Sequence, residues 1–169
     1  MADLYDTAFN KNEWTIIVFL FVGLILMVKL KKIFSFKQTI VYFLFGFFTG
    51  ILCDHILSTP PIDLYDVGDN SSYEIMDFIT YLMFSPFSYI FVYVYKRANI
   101  KLKYTPIYIL LYSIIATLSE LLADFLGVFH YKNGYTLYNS FPTYLLVFTC
   151  EIYLYKFLSS GPKESTWDL

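Results

Sequence analysis

Charged residues are scarce in this chain, and their scarcity excludes an ordinary soluble domain. Only 15% of the 169 residues are Asp, Glu, Lys or Arg, whereas 57% are hydrophobic and 22% are aromatic. A soluble domain of this length would surround one core with a charged and polar surface. The few charges also cluster between long apolar runs, so the sequence predicts a protein embedded in a lipid bilayer.

The sequence also lacks the common signatures of catalysis, of zinc or redox chemistry and of nucleic-acid binding. Its two cysteines, Cys53 and Cys150, have no C-x-x-C spacing. It contains no H-E-x-x-H, no G-x-S-x-G and no Walker A sequence. Its basic residues do not alternate with aromatic residues on a soluble face, so we expect no nucleic acid as a partner. An intramembrane enzyme stays open as an alternative, with no residue assigned a catalytic role.

Five apolar runs are long enough to cross a bilayer, which requires about 20 mostly apolar residues in a helix. The predicted spans are residues 14–30, 39–57, 73–95, 105–129 and 138–158. We therefore predict an all-α integral membrane bundle of five transmembrane helices over residues 14–158. Residues 1–13 form an N-terminal tail and residues 159–169 a C-terminal tail in this interpretation.

The basic residues are distributed unevenly among the segments between the spans. Ten of the twelve lie near the end of, or after, the first, third or fifth span, and only Lys11 and Lys132 lie elsewhere. Short loops that are rich in Lys and Arg stay in the cytoplasm. This pattern predicts that the N-terminus is outside and the C-terminus inside.

Six carboxylates lie within the predicted spans, although lipid offers them no partner. Such acids normally face a protein interior or a wet cavity, so they are the leading candidates for a ligand- or cation-binding site. These residues are Asp54, Glu74, Asp77, Glu120, Asp124 and Glu151. At about 1.5 Å per residue, the first five reach a similar level in the outer third of the bundle, and Glu151 lies deeper.

The fourth span shows the clearest pattern of polar residues. Ser113, Thr117, Glu120, Asp124 and Gly127 follow one another at steps of four, three, four and three residues, which places them on one helical face. Two ionised carboxylates one turn apart would repel each other. Either one of them is protonated or a cation lies between them.

These acids predict an outward-facing pocket that binds or transports a cation, a protonated amine or a proton-coupled solute. No cofactor is required, although carboxylate oxygens would suit a divalent cation, with His55 as an additional ligand. The structural alternative is that the acids near span ends are interfacial and the deeper ones form hydrogen bonds between helices.

Gly46 and Gly50 form a G-x-x-x-G pair in the second span, which allows another helix to approach closely. The contact lies inside the bundle, between two copies of the chain, or against a membrane partner protein. Such a contact is part of the competing hypothesis of a structural or accessory subunit without catalysis of its own, which the small size of a five-span bundle favours.

Residues 64–97 (LYDVGDNSSYEIMDFITYLMFSPFSYIFVYVYKR) and 126–148 (LGVFHYKNGYTLYNSFPTYLLVF) carry a resemblance to a known group of proteins. They resemble small uncharacterised multi-span membrane proteins of Gram-positive spore-forming bacteria. The resemblance implies the multi-pass topology and a bacterial plasma membrane. It implies no activity and no functional residue.

Overall fold

The computed structural model describes residues 9–68 and 75–160, most of which are helical. The helices in these residues are α1 (Lys11–Lys29), α2 (Phe36–Leu57), α3 (Ile75–Arg97), α4 (Thr105–Phe125) and α5 (Leu137–Ser159). A single 3-10 turn, Leu102–Tyr104, leads into α4. Two short strands, β1 (Tyr65–Val67) and β2 (Phe129–Tyr131), pair in an antiparallel sheet.

Four helical segments of the described chain are long and apolar enough to cross a membrane: Lys11–Lys29, Phe36–Leu57, Ile75–Arg97 and Leu102–Phe125. Large apolar side chains on their outward faces, such as Phe21 and Leu118, are more than half exposed. In lipid this apolar surface needs no further cover. The chain is therefore a multi-pass, membrane-embedded helical protein. α5 is 23 residues long but more polar than these four segments.

Local capping explains why α1 begins at Lys11, three residues before the predicted span. The Asn10 side chain accepts a hydrogen bond from the Asn12 N–H at 3.2 Å, and the Glu13 carboxylate accepts one from the Asn10 N–H at 2.7 Å. These contacts satisfy backbone donors that the first turn of a helix leaves without partners. The polar residues before Trp14 therefore belong to the helix.

The predicted end of the fourth span, at residue 129, was wrong because α4 stops at Phe125. Gly127 adopts a left-handed conformation with φ of +79°. Its N–H donates to the Asp124 carbonyl and the Val128 N–H to the Ala123 carbonyl, each at 2.9 Å. This pattern is a Schellman motif, which ends helices at glycine. Phe129, predicted as helix, begins β2 instead.

α3 is the central helix of the bundle. It packs against α1, α2 and α5, while α4 packs against α5. Gly23 of α1 allows a close approach to Pro86 inside α3, since a Cβ at Gly23 would lie 2.7 Å from the Pro86 ring. Toward the C-terminal end of α3, the core is largely aromatic; the Phe91 ring lies 4.6 Å from that of Phe148.

The two-stranded sheet joins the α2–α3 connection to the α4–α5 connection at the other end of the bundle. Its register pairs Tyr65 with Tyr131 and Val67 with Phe129. Lys132 follows β2 and forms an ion pair of 2.5 Å with the buried Asp66 of β1. The sheet was missed by the sequence analysis, which predicted only helices and polar loops.

Candidate functional site

A cavity of about 310 Å³ lies among the helices, next to the sheet. All five helices and both strands contribute to its wall. Aliphatic and aromatic side chains make up most of the lining, and three carboxylates interrupt it: Asp54, Glu120 and Glu151. A concave, mainly apolar site of this size with a few polar groups is typical of pockets for small organic molecules.

Glu120 is the most heavily hydrogen-bonded of the three carboxylates. Tyr131 donates to its Oε1 at 2.6 Å, Ser140 donates to the same oxygen at 2.5 Å, and Tyr144 donates to Oε2 at 2.5 Å. Its side chain is buried, and all three donors are hydroxyl groups from β2 and α5. Such donors stabilise a negative charge that lipid could not solvate.

Asp54 has an oxygen without a partner. Tyr81 donates a hydrogen bond of 2.5 Å to Asp54 Oδ2, whereas the buried Oδ1 has no hydrogen-bond partner in the described structure. The residue is only 7% exposed and lies on the cavity wall. A buried acceptor without a donor costs free energy, about 1–3 kcal/mol in typical proteins. Asp54 therefore keeps one unsatisfied acceptor beside the cavity.

Glu151 lies on the same wall and is 1% exposed. Its Oε1 is 2.5 Å from the Ser88 hydroxyl oxygen, and that oxygen is also 2.6 Å from the Tyr42 backbone carbonyl. The three groups link α5, α3 and α2 in the interior of the bundle.

The sequence placed Asp54 and Glu120 in one outer pocket and Glu151 deeper. The structure brings all three to one cavity. Their shared position follows from the packing of α2 and α5 against α3, which carries Tyr81 and Ser88, and of α4 against α5.

The remaining predicted residues occupy other positions. Asp77 is buried in the first turn of α3, and Asp124 is half-buried one turn after Glu120; neither is part of the cavity wall. His55 is exposed and is also absent from the wall. Glu74 lies outside the described residues.

The sequence suggested that these acids bind a divalent cation. Such a site requires several ligating side chains to lie close together in the structure. Within residues 9–68 and 75–160, no group of three or more His, Cys, Asp or Glu side chains could hold a metal ion. The described part of the cavity wall contains no Lys, Arg or His either. The three carboxylates are separate acceptors in an apolar wall rather than one coordination shell.

Tyrosine hydroxyls near the sheet are the site residues that the sequence analysis did not single out. Tyr131 reaches Glu120 from β2, and Tyr65 of β1 lines the cavity. Burial and the hydrogen bond to Glu120 raise the pKa of Tyr131 above its ordinary value, so it stays a donor at neutral pH. The high tyrosine content of residues 130–139 is visible in the sequence and could have pointed to these residues. The pairing of this segment with β1 is not visible there.

Gly46 and Gly50 lie where α2 meets α3. A Cβ at Gly46 would lie 2.7 Å from the Phe84 carbonyl oxygen, 2.8 Å from the Ser88 Cβ and 2.9 Å from the Ser85 Cα. The close approach holds Ser88 near the Tyr42 carbonyl and so helps to form the cavity wall.

The fold and the site together define a multi-pass membrane protein with an internal, carboxylate-bearing cavity. No protein-family model, curated protein or solved structure matches the chain, so its function is inferred from the chemistry of this cavity.

Proposed function

We propose that the protein binds a small organic cation, such as a protonated amine, in the cavity among its helices and acts as a binding or transport protein. The observation that carries the proposal is the buried Asp54 Oδ1, which has no hydrogen-bond donor among the described residues and belongs to a residue that lines a largely apolar cavity. An ammonium group supplies both the missing donor and a compensating charge. Its organic part would contact the aromatic and aliphatic wall.

An organic cation fits the cavity better than a metal ion does. A hard divalent cation takes six or more oxygen ligands, or keeps several waters. The described wall offers three separate carboxylates. Glu120 already accepts hydrogen bonds from three hydroxyl groups, and Glu151 is in close contact with the Ser88 hydroxyl group. An ammonium group needs only one to three acceptors, so Asp54 can bind it with Tyr81 still in place.

The orientation that we propose has the N-terminus outside, α5 as a fifth span and the plasma membrane as the location. Ten of twelve basic residues support it. In this orientation the sheet lies on the outer side of the cavity and contributes to its wall.

The binding proposal is tested with benzylammonium as the probe and benzyl alcohol as its neutral counterpart. We expect the amine to raise the melting temperature of the purified protein in detergent, because a ligand of the native state stabilises it by mass action. Asp54→Asn should weaken this binding at least tenfold in calorimetric titration. Asp124→Asn is the matched control and should bind like the parent, since Asp124 is off the wall.

Two results would overturn the proposal. One is an equal thermal shift with benzyl alcohol, which would show that apolar contact alone accounts for binding. The other is unchanged affinity in Asp54→Asn, which would show that its carboxylate does not receive the cation.

A further inference from the structure

The Ser88 hydroxyl group lies between two hydrogen-bond acceptors, but it has only one hydrogen to donate. Its hydroxyl oxygen is within hydrogen-bond distance of both the Tyr42 carbonyl oxygen, at 2.6 Å, and Glu151 Oε1, at 2.5 Å. A serine hydroxyl donates one hydrogen bond and accepts others through its lone pairs. A carbonyl oxygen cannot donate, so one of the two contacts must have its hydrogen supplied from the other side.

An ionised Glu151 cannot supply that hydrogen. With Glu151 ionised, one of the two contacts would bring two oxygen lone pairs together in a fully buried place, which is unfavourable. A protonated Glu151 removes the conflict. Its hydroxyl donates to Ser88, and the Ser88 hydrogen then goes to the Tyr42 carbonyl.

We propose that Glu151 is a proton-binding site of the folded protein and donates its proton to Ser88. Its surroundings agree with a neutral acid. Tyr42 on α2 and Tyr108 on α4 are titratable groups near it, and neither can supply a positive charge. Ser88 is its hydrogen-bond partner on α3, and the residues of α1 on the cavity wall, Thr15, Ile16 and Phe19, are not titratable.

The other acids of the cavity also favour the neutral form of Glu151. Asp54 and Glu120 lie on the same wall, and no Lys, Arg or His of the described chain lines it. Additional negative charge at Glu151 would have no compensating partner there. Glu151 is therefore the carboxyl group of this wall to which we assign the proton, since Glu120 already accepts hydrogen bonds from three hydroxyl groups.

Coupling between this proton and a ligand rests on the proposed function. A cation in the cavity favours the ionised form of a nearby carboxyl group, so its binding should release the Glu151 proton. Loss of the proton would free the Ser88 hydrogen to move from the Tyr42 carbonyl to Glu151. The exchange of cation for proton would then be linked to the α2–α3 contact.

Infrared spectroscopy tests the proton site without any ligand, because a protonated carboxyl group has a C=O stretch distinct from that of a carboxylate. We expect this band in the purified parent protein at neutral pH and its loss in Glu151→Gln. The glutamine amide can donate to Ser88 as the acid does, so the fold should be kept; circular dichroism checks this. Glu120→Gln is the matched control and should retain the band.

The absence of the band from the parent would overturn the proposal without reference to any variant. Its persistence unchanged in a folded Glu151→Gln would also overturn it. The coupling is measured separately, as the number of protons released when benzylammonium binds in two buffers of different ionisation enthalpy. The parent should release protons and Glu151→Gln none. Absence of benzylammonium binding would contradict the cation site alone, since the infrared result decides the proton site independently.

Discussion

Replacement of Gly46 by alanine should force α2 and α3 apart. The added Cβ would lie 2.7 Å from the Phe84 carbonyl oxygen, which is about 0.7 Å short of the 3.4 Å where ordinary contact begins. The obstructing groups include the backbone of α3, which cannot rotate away as a side chain can. Overpacking of this kind typically costs about 1–3 kcal/mol. The higher helix propensity of alanine returns up to about 1 kcal/mol.

Gly50→Ala is a matched control on the same helix face. Its Cβ would meet the Phe84 ring carbon Cδ2 at 2.8 Å, and that side chain can shift, whereas the nearest α3 backbone atom, the Tyr81 Cα, is 3.6 Å away. We therefore expect Gly46→Ala to be less stable than Gly50→Ala by about 1–3 kcal/mol in reversible unfolding followed by circular dichroism in detergent. Equal stability of the two variants, or a more stable Gly46→Ala, would refute the backbone contact.

Two further predictions concern the ends of the bundle. Lys132→Met removes the cation beside Asp66, which is 4% exposed, and should lower the free energy of unfolding by about 1–3 kcal/mol. Addition of Asp66→Asn should recover much of the loss; no recovery would show that the ion pair is not the cause. A single cysteine introduced at residue 99 should be labelled by a membrane-impermeant maleimide only after cells are opened. Labelling in intact cells would reverse the proposed orientation.

The helices were predictable because the bilayer imposes a length and an apolar composition that a sequence displays directly. The prediction of a helical membrane bundle is confirmed for four segments long and apolar enough to span. The end of α4 was predicted wrongly because its apolar pattern continues past Phe125. The helix ends there because Gly127 adopts a left-handed backbone conformation. Apolar content alone does not distinguish a helix from a short strand such as Phe129–Tyr131.

The position of an acid along its helix could be read from the sequence, but its direction around the helix could not. A rise of about 1.5 Å per residue predicts one level for Asp54 and Glu120, and both residues line the cavity. Whether a side chain at that level faces the cavity depends on how each helix is rotated against its neighbours. Asp77 is buried yet absent from the wall, and nothing in its local sequence distinguishes it from Asp54 in this respect.

The pairing of β1 with β2 has a consequence for the order of assembly. Tyr65 and Tyr131 are partners across a segment that contains both α3 and α4. Residue 131 must therefore be synthesised before the strands can meet. The α5 side of the cavity wall, which carries Glu151, is synthesised later still. A chain stalled before β2 would thus lack both the sheet and the α5 wall of the cavity.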